Sequence, residues 1–188
     1  MKNNEKIIAN IGTELDLDWV LMTQANTSAI ERRANNIGNR RSIKKQYQAA
    51  WLLKAITLID LTTLSGDDTE KRVHRLCAKG KQPISKLLVD ELGIQTLKIQ
   101  VGAICVYHEM VKTAVNALKD TTIPVAAVST GFPAGLSPLN LRIKEIKESV
   151  KIGASEIDIV ISRRHVLNGN WSALYEAVSY THLTLPTI

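Results

Sequence analysis

The chain is 188 residues long and 45% hydrophobic, enough for one domain with a core of its own. No apolar run reaches the length of a membrane span, and Met1 to Lys6 leads into only a short apolar patch, so neither a membrane segment nor a signal peptide is expected. The net charge is +6, and nine Lys/Arg against five Asp/Glu place +4 of it in residues 1–54, chiefly at Arg32, Arg33, Arg40, Arg41, Lys44 and Lys45.

No aromatic residue interleaves that basic cluster and no nucleic-acid motif accompanies it, so it reads as a solvated helical face. Cys77 and Cys105 stand far apart and have no metal-type spacing with the histidines. Two free thiols in a reduced, cytoplasmic protein are expected.

In chain order, Leu15, Leu17, Trp19 and Val20 form a docking segment with Asp16 and Asp18 between them. Ser28 and Glu31 have capping-box spacing, which predicts a helix ending near Gly38. Ser42 is the predicted cap of a second helix from Ile43 to Lys54. Residues 1–54 thus form an N-terminal helical extension. Residues 55–61 are the first predicted strand, with Ile56, Leu58 and Asp60 on one face. A polar loop follows, and Asp68 or Thr69 caps a helix from Glu70 to about Lys79, with Gly80 at its end.

Residues 84–98 predict a short helix and a loop. Val101 to Tyr107 is the second strand, Met110 to Lys119 a helix, and Pro124 to Ser129 the third strand. The tight turn Gly131-Phe-Pro-Ala-Gly135 precedes an amphipathic helix, Leu139 to Ile152, with Leu141, Ile146 and Val150 among its apolar positions and Lys144 facing Glu148. The fourth strand, 156–161, carries two carboxylates. Glu156 and Asp158 share one face; Ile157, Ile159 and Ile161 share the other. A charge within a buried strand costs several kcal/mol (about) unless it is paired or faces a polar pocket. Trp171 opens one more helix.

Strands alternating with helices mean a parallel sheet with helices outside it. A closed (β/α)₈ barrel needs about eight such units and about 250 residues. The expected fold class is α/β: an incomplete TIM (β/α)₈ barrel of about the first four βα units, or an open sheet. No glycine-rich nucleotide motif, nucleophile elbow or paired-histidine motif is present, and His74, His108 and His165 are scattered. Asp60, Cys105 and Asp158 each stand near the end of a strand, where parallel α/β folds build their sites. Residue type alone supports a pocket with two carboxylates and a thiol.

Several motifs in order resemble deoxyribose-phosphate aldolases. They are Thr57-Leu-Ile-Asp60-Leu-Thr62-Thr63-Leu with Gly66-Asp67-Asp68-Thr69, Ala103-Ile-Cys105-Val-Tyr107, Val128-Ser-Thr-Gly-Phe132-Pro133-Ala-Gly135 and Gly153-Ala-Ser-Glu156-Ile-Asp158-Ile-Val160. Trp51-Leu-Leu-Lys54 and the helical extension resemble the animal-type members, and the match runs from about Gly12 to Ala177. The resemblance implies a TIM-barrel class I aldolase of deoxyribonucleotide catabolism. Such an enzyme reversibly cleaves 2-deoxy-D-ribose 5-phosphate to acetaldehyde and D-glyceraldehyde 3-phosphate through a lysine Schiff base, without metal or other cofactor. The iminium withdraws electrons, which stabilises the enamine formed on cleavage.

By motif, Asp158 matches the proton-relaying aspartate, held beside a lysine ammonium and ordered water. Asp60 and Thr62 match positions near the substrate's hydroxyl end, and Cys105 matches a pocket-lining cysteine. Glu156 is expected to be structural, paired inside the barrel. The implied partner is a small phosphosugar, with no nucleic acid and no membrane; a homo-oligomer is left open.

The chain departs from the family in two ways. The Schiff-base lysine, its partner lysine and the phosphate loops belong to later strands, and Lys54, Lys98 and Lys151 match none of them. Residues 55–177 follow the first half of the barrel, but 178–188 do not. One choice of codons for Val178 to Thr187 reproduces a transposase adapter used for sequencing libraries, so the tail is expected to be read-through. The chain as it stands is expected to be inactive, with unpaired strand edges and uncovered apolar surface. The competing readings are a non-catalytic truncated form acting as an interaction protein, and a phosphosugar-binding α/β protein of unrelated chemistry.

Overall fold

Each strand of the protein is preceded or followed by a helix, and β1 and β2 adjoin helices with a local side-chain cap. The computed structural model describes residues 14–40 and 43–183, with side chains as far as 179. Residues 1–13, Arg41, Ser42 (the expected cap of the second helix) and 184–188 lie outside the described residues. Helix α1 (Leu17–Met22) is capped by the Asp16 carboxylate, which accepts from Trp19 N. Helix α2 (Thr27–Arg40) is capped by Asn26 rather than Ser28: the Asn26 side chain accepts from Ala29 N at 3.0 Å. Helix α3 (Lys45–Ile56) follows with no side-chain cap. None of these three helices contains a buried residue; Trp19 and Trp51 are both exposed.

The first strand is shorter than 55–61. Ala55 and Ile56 complete α3, and Thr57 ends it, its hydroxyl donating to Lys54 O at 2.8 Å. Leu58 and Ile59 stay in the following turn, Leu58 largely exposed, and β1 covers only Asp60–Thr62. The apolar alternation through 56–60 is therefore divided between a helix end and a turn.

Helix α4 (Glu70–Lys81) is capped by Thr69 as expected. Gly80 does not end it. It lies inside the helix, where a Cβ would meet Ile104 Cδ1 at 2.8 Å, so glycine lets the helix close on the sheet. Helix α5 (Lys86–Glu91), capped by Ser85, and a 3₁₀ turn at Gln95–Leu97 fill the segment before β2 (Ala103–Tyr107). A second 3₁₀ turn, His108–Met110, leads into α6 (Val111–Leu118) and then β3 (Val125–Ser129).

In α7 (Leu139–Lys151) the buried face is Ile143, Ile146 and Ser149; Leu141 is exposed, and Glu148 pairs with Lys151 at 3.5 Å instead of Lys144. The fourth strand, β4, covers Glu156–Ile159. A short helix not foreseen from the sequence, α8 (Arg163–Leu167), precedes α9 (Trp171–Leu183), whose first turn is capped by Asn170.

The four strands form one parallel sheet in the order β1-β2-β3-β4. The order rises along the sheet without a switch point, as in a (β/α) barrel and unlike a doubly wound sheet. One face carries Leu61, Ile104, Val106, Val125, Ala127 and Ile157 against Val73 and Cys77 of α4 and Val111, Ala114 and Leu118 of α6. This is the principal core. Among the described residues no helix is long and apolar enough to cross a membrane.

Candidate active site

The opposite face is built by the same period-2 alternation. Register places Thr62 beside Cys105, Cys105 beside Ala126, and Ala126 beside Glu156. These four form one row across the sheet. Asp60 and Ala103 lie one layer toward the strand starts, and Tyr107, Val128 and Asp158 one layer toward the strand ends. All four site residues anticipated from the sequence, Asp60, Thr62, Cys105 and Asp158, thus stand on one face. Asp60 opens its strand rather than closing it.

Among the described residues no helix packs on this face. Asp60, Thr62, Glu156 and Asp158 are exposed, while Cys105, Ala126 and Val128 are buried beneath Leu64, Tyr107 and Phe132. Tyr107 and Phe132 meet edge to face, their ring centroids 5.9 Å apart.

The electrostatics of the face run in one direction. Burial, and then the Asp158 carboxylate, push the Cys105 thiol up to about 11; Asp60 and Glu156 add to this, and a side-chain hydrogen bond with Thr62 opposes it. The thiol is therefore protonated at neutral pH and suits lining a pocket rather than nucleophilic attack. Glu156 is accessible as a residue, yet partial burial of its carboxyl raises its pKa, and Asp60 raises it further.

The expected pairing of Glu156 inside the barrel is not found: among the described residues no cation forms an ion pair with Glu156, Asp158 or Asp60. Nor does a lysine stand at the strand positions of this face. Lys54 lies in the last turn of α3, Lys98 follows the Gln95–Leu97 turn, and Lys151 is engaged with Glu148. Among the described residues no group of His, Cys, Asp and Glu has the arrangement of a metal site.

Two loops at the strand ends are braced by residues that the sequence reading did not single out in these roles. After β1, the Asp68 carboxylate accepts from Thr63 Oγ1 at 2.9 Å and from Ser65 N at 3.1 Å, and pairs with Arg72 at 3.2 Å. Asp67 is bonded to Ser65 and to Arg72; both hold its carboxyl below the usual range. The pairing of Asp68 with Arg72 was legible as i,i+4 spacing.

After β3, the buried Thr130 takes a left-handed φ of +63°, costly for a β-branched residue. Its hydroxyl accepts from Val160 N at 2.6 Å and donates to Val160 O at 3.0 Å, tying the loop to the end of β4. Gly131 N donates to the Glu145 carboxylate on α7 at 3.0 Å. No spacing rule joins residues 131 and 145 across a loop and a helix, so nothing in the sequence signalled it.

No family model matches the chain. Among curated proteins it is 54% identical over 170 residues to the deoxyribose-phosphate aldolase of Mus musculus, covering 89% of this chain and 54% of that protein. It is 52% identical over 171 residues to the deoxyribose-phosphate aldolase of Homo sapiens, covering 90% and 54%. The chain therefore spans about half the length of the curated relatives it matches. Among solved structures, a Coccidioides immitis protein described as a candidate deoxyribose-phosphate aldolase superposes with a TM-score of 0.58 at 25% identity, covering 70% of this chain and 46% of that one. QR15, described as an aldolase, superposes with a TM-score of 0.54 at 25% identity, covering 70% and 51%.

Proposed function

We infer that this chain is part of a deoxyribose-phosphate aldolase, and that its residues 55–177 are the first four βα units of a (β/α)₈ barrel behind a helical extension, 1–54. The observation that carries the reading is the identity of 52–54% over about 90% of the chain to curated enzymes of that name. The reaction proposed is the reversible cleavage of 2-deoxy-D-ribose 5-phosphate to acetaldehyde and D-glyceraldehyde 3-phosphate through a lysine Schiff base, in the cytoplasm. No comparison favours the interaction-protein alternative.

Asp158 is the proposed proton relay. Its carboxylate stands in the layer nearest the strand ends, exposed to water and free of an ion-pair partner among the described residues. Such a group can take and return a proton through water. Asp60 and Thr62 are proposed to face the substrate's hydroxyls from β1. Cys105, protonated at neutral pH, forms the floor between them and Asp158.

The nucleophile is proposed to lie outside these 188 residues, because among the described residues no lysine stands at the strand positions of the carboxylate face. Two experiments test this. Borohydride with acetaldehyde should trap no covalent adduct on the 188-residue chain; a stoichiometric adduct overturns the inactive reading. In a protein of the relatives' length, Asp158→Asn should cut turnover by about 10²–10⁴-fold, the usual worth of a positioned acid–base group. Unchanged turnover removes Asp158 from the mechanism, and absence of any cleavage by that longer protein defeats the aldolase reading itself.

A further inference from the structure

The end of β4 has a support that the sheet ladder does not supply. Register pairs Ser129 with Ile159, and one step further it would set Thr130 opposite Val160. Thr130 does not take that place through its backbone: its φ of +63° turns the chain out of β3 and into the 131–135 turn. The N–H and C=O of Val160 thereby lose the ladder partners that a longer β3 would offer. Among the described residues no strand pairs with the other edge of β4 either.

The Thr130 side chain replaces the lost rung. Its hydroxyl accepts from Val160 N at 2.6 Å and donates to Val160 O at 3.0 Å, so one side-chain group meets both backbone partners. The residue is 2% exposed, so water does not compete for these bonds. A β-branched residue is disfavoured at such a φ, where glycine is at ease. What threonine has there and glycine lacks is the hydroxyl.

The turn that follows is anchored to α7 and closes on the same residue. Gly131 N donates to Glu145 at 3.0 Å, and Gly135 N donates to Gly131 O at 2.9 Å. A Cβ on Gly135 would meet Val160 Cγ1 at 2.9 Å. Residues 130–135 thus hold the end of β4 at Val160, two residues beyond Asp158. Among the described residues neither an ion pair nor a side-chain hydrogen bond holds the Asp158 carboxylate, so its place is set by the course of β4.

We propose that Thr130 is the positioning residue of Asp158: its hydroxyl stands in for the rung that β3 no longer supplies, and so keeps the Asp158 carboxylate in the layer nearest the strand ends. This rests on the reading of Asp158 as the proton relay and adds the group that keeps the relay in register. The neighbouring thiol reports where Asp158 stands. After burial, Asp158 is the largest cause of the raised Cys105 pKa. A carboxylate that drifts from the thiol raises it less, and more thiolate is then present at a given pH.

The test compares Thr130→Gly with Thr130→Ser in the 188-residue chain. Both lose the methyl group, glycine suits the left-handed φ, and only serine keeps a hydroxyl. In Thr130→Gly, hydrogen exchange at the Val160 amide should rise at least about tenfold while that at Ile104, in the core, is unchanged. Alkylation of Cys105 at pH 8 should rise about threefold. Thr130→Ser should keep both at the wild-type rate. In an Asp158→Asn background Thr130→Gly should add no further acceleration at Cys105, because the charge it displaces is gone. A merely structural loosening would open the thiol to reagent in either background. Wild-type rates in Thr130→Gly, equal changes in Thr130→Ser, or an acceleration that persists in Asp158→Asn overturns the proposal. Neither readout measures aldol cleavage, so failure here and failure of the aldolase reading are distinguishable.

Discussion

On the helix-covered side of the sheet, Ile104, Val106 and Ala127 lose all contact with water against α4 and α6. One residue along the same strands, the other side turns Asp60, Thr62, Glu156 and Asp158 into solvent around a buried thiol. The two faces use the same backbone hydrogen bonds and the same register. The difference lies in what is packed on them, and it separates stability from chemistry. The helix face is where apolar burial holds β1 to β4 in place. The open face contributes little burial beyond Ala103, Cys105, Ala126 and Val128, and so is free to collect carboxylates that no core would tolerate.

That division is most exposed to a pair of truncations. Ile104→Ala removes a fully buried side chain that packs against α4 and should lower stability by about 2–5 kcal/mol, seen as a fall in the urea midpoint. Asp158→Ala, on the other face, should change it by no more than about 0.5 kcal/mol. Equal losses would mean that the carboxylate face is structural and would break the comparison.

The two faces were unequally legible in the sequence. The helix face could be read because β2 and β3 are apolar runs between helices whose buried positions recur at helical spacing, as Val111, Ala114 and Leu118 do. Strand alternation also placed Asp158 and Glu156 together, and strand order placed Asp60, Thr62 and Cys105 opposite them. The reading failed where alternation coincides with a helix end. Ile56 and Leu58 carry the pattern of a strand, but Thr57 ends α3 between them through a contact with Lys54. At Glu156 the polar face expected for a charge-bearing strand is present, while the expected pairing finds no cation among the described residues. The brace from Glu145 to Gly131 and the two hydrogen bonds between Thr130 and Val160 link segments 14 and 30 residues apart. Local pattern carries no information over such distances.

Cys105 gives a smaller but sharper test, because it is a titratable group buried under the open face. Its pKa of about 11 lies above the ordinary thiol value of 9.0, so the folded state holds the proton more tightly than the unfolded state. The stability this provides is complete below pH 9 and is lost as pH rises toward 11. At pH 8 the folded thiolate fraction is about 0.1%, against about 10% for an ordinary thiol. Alkylation by iodoacetamide, followed at the Cys105 peptide by mass spectrometry, should therefore be about 100-fold slower in the folded chain than in urea. Comparable rates would show that the folded chain neither buries Cys105 nor raises its pKa.

The smallest expected effect isolates the carboxylates from one another. Glu156 is raised by partial burial and by Asp60, so its folded pKa exceeds its unfolded one. An acid shifted this way adds stability when protonated, at pH below the unfolded carboxylate range, and loses that contribution as pH rises through its folded pKa. At neutral pH the ionised group is then a modest liability, since it faces Asp60 with no cation beside it among the described residues. Glu156→Gln keeps the shape and removes the charge, so it should raise the urea midpoint at pH 7 and lose that advantage near pH 4. Asp60→Asn should reproduce part of the gain, and the double variant should gain less than the sum, because each substitution relieves the same repulsion. Full additivity would place the two carboxylates beyond each other's reach and show that the face is not one electrostatic unit.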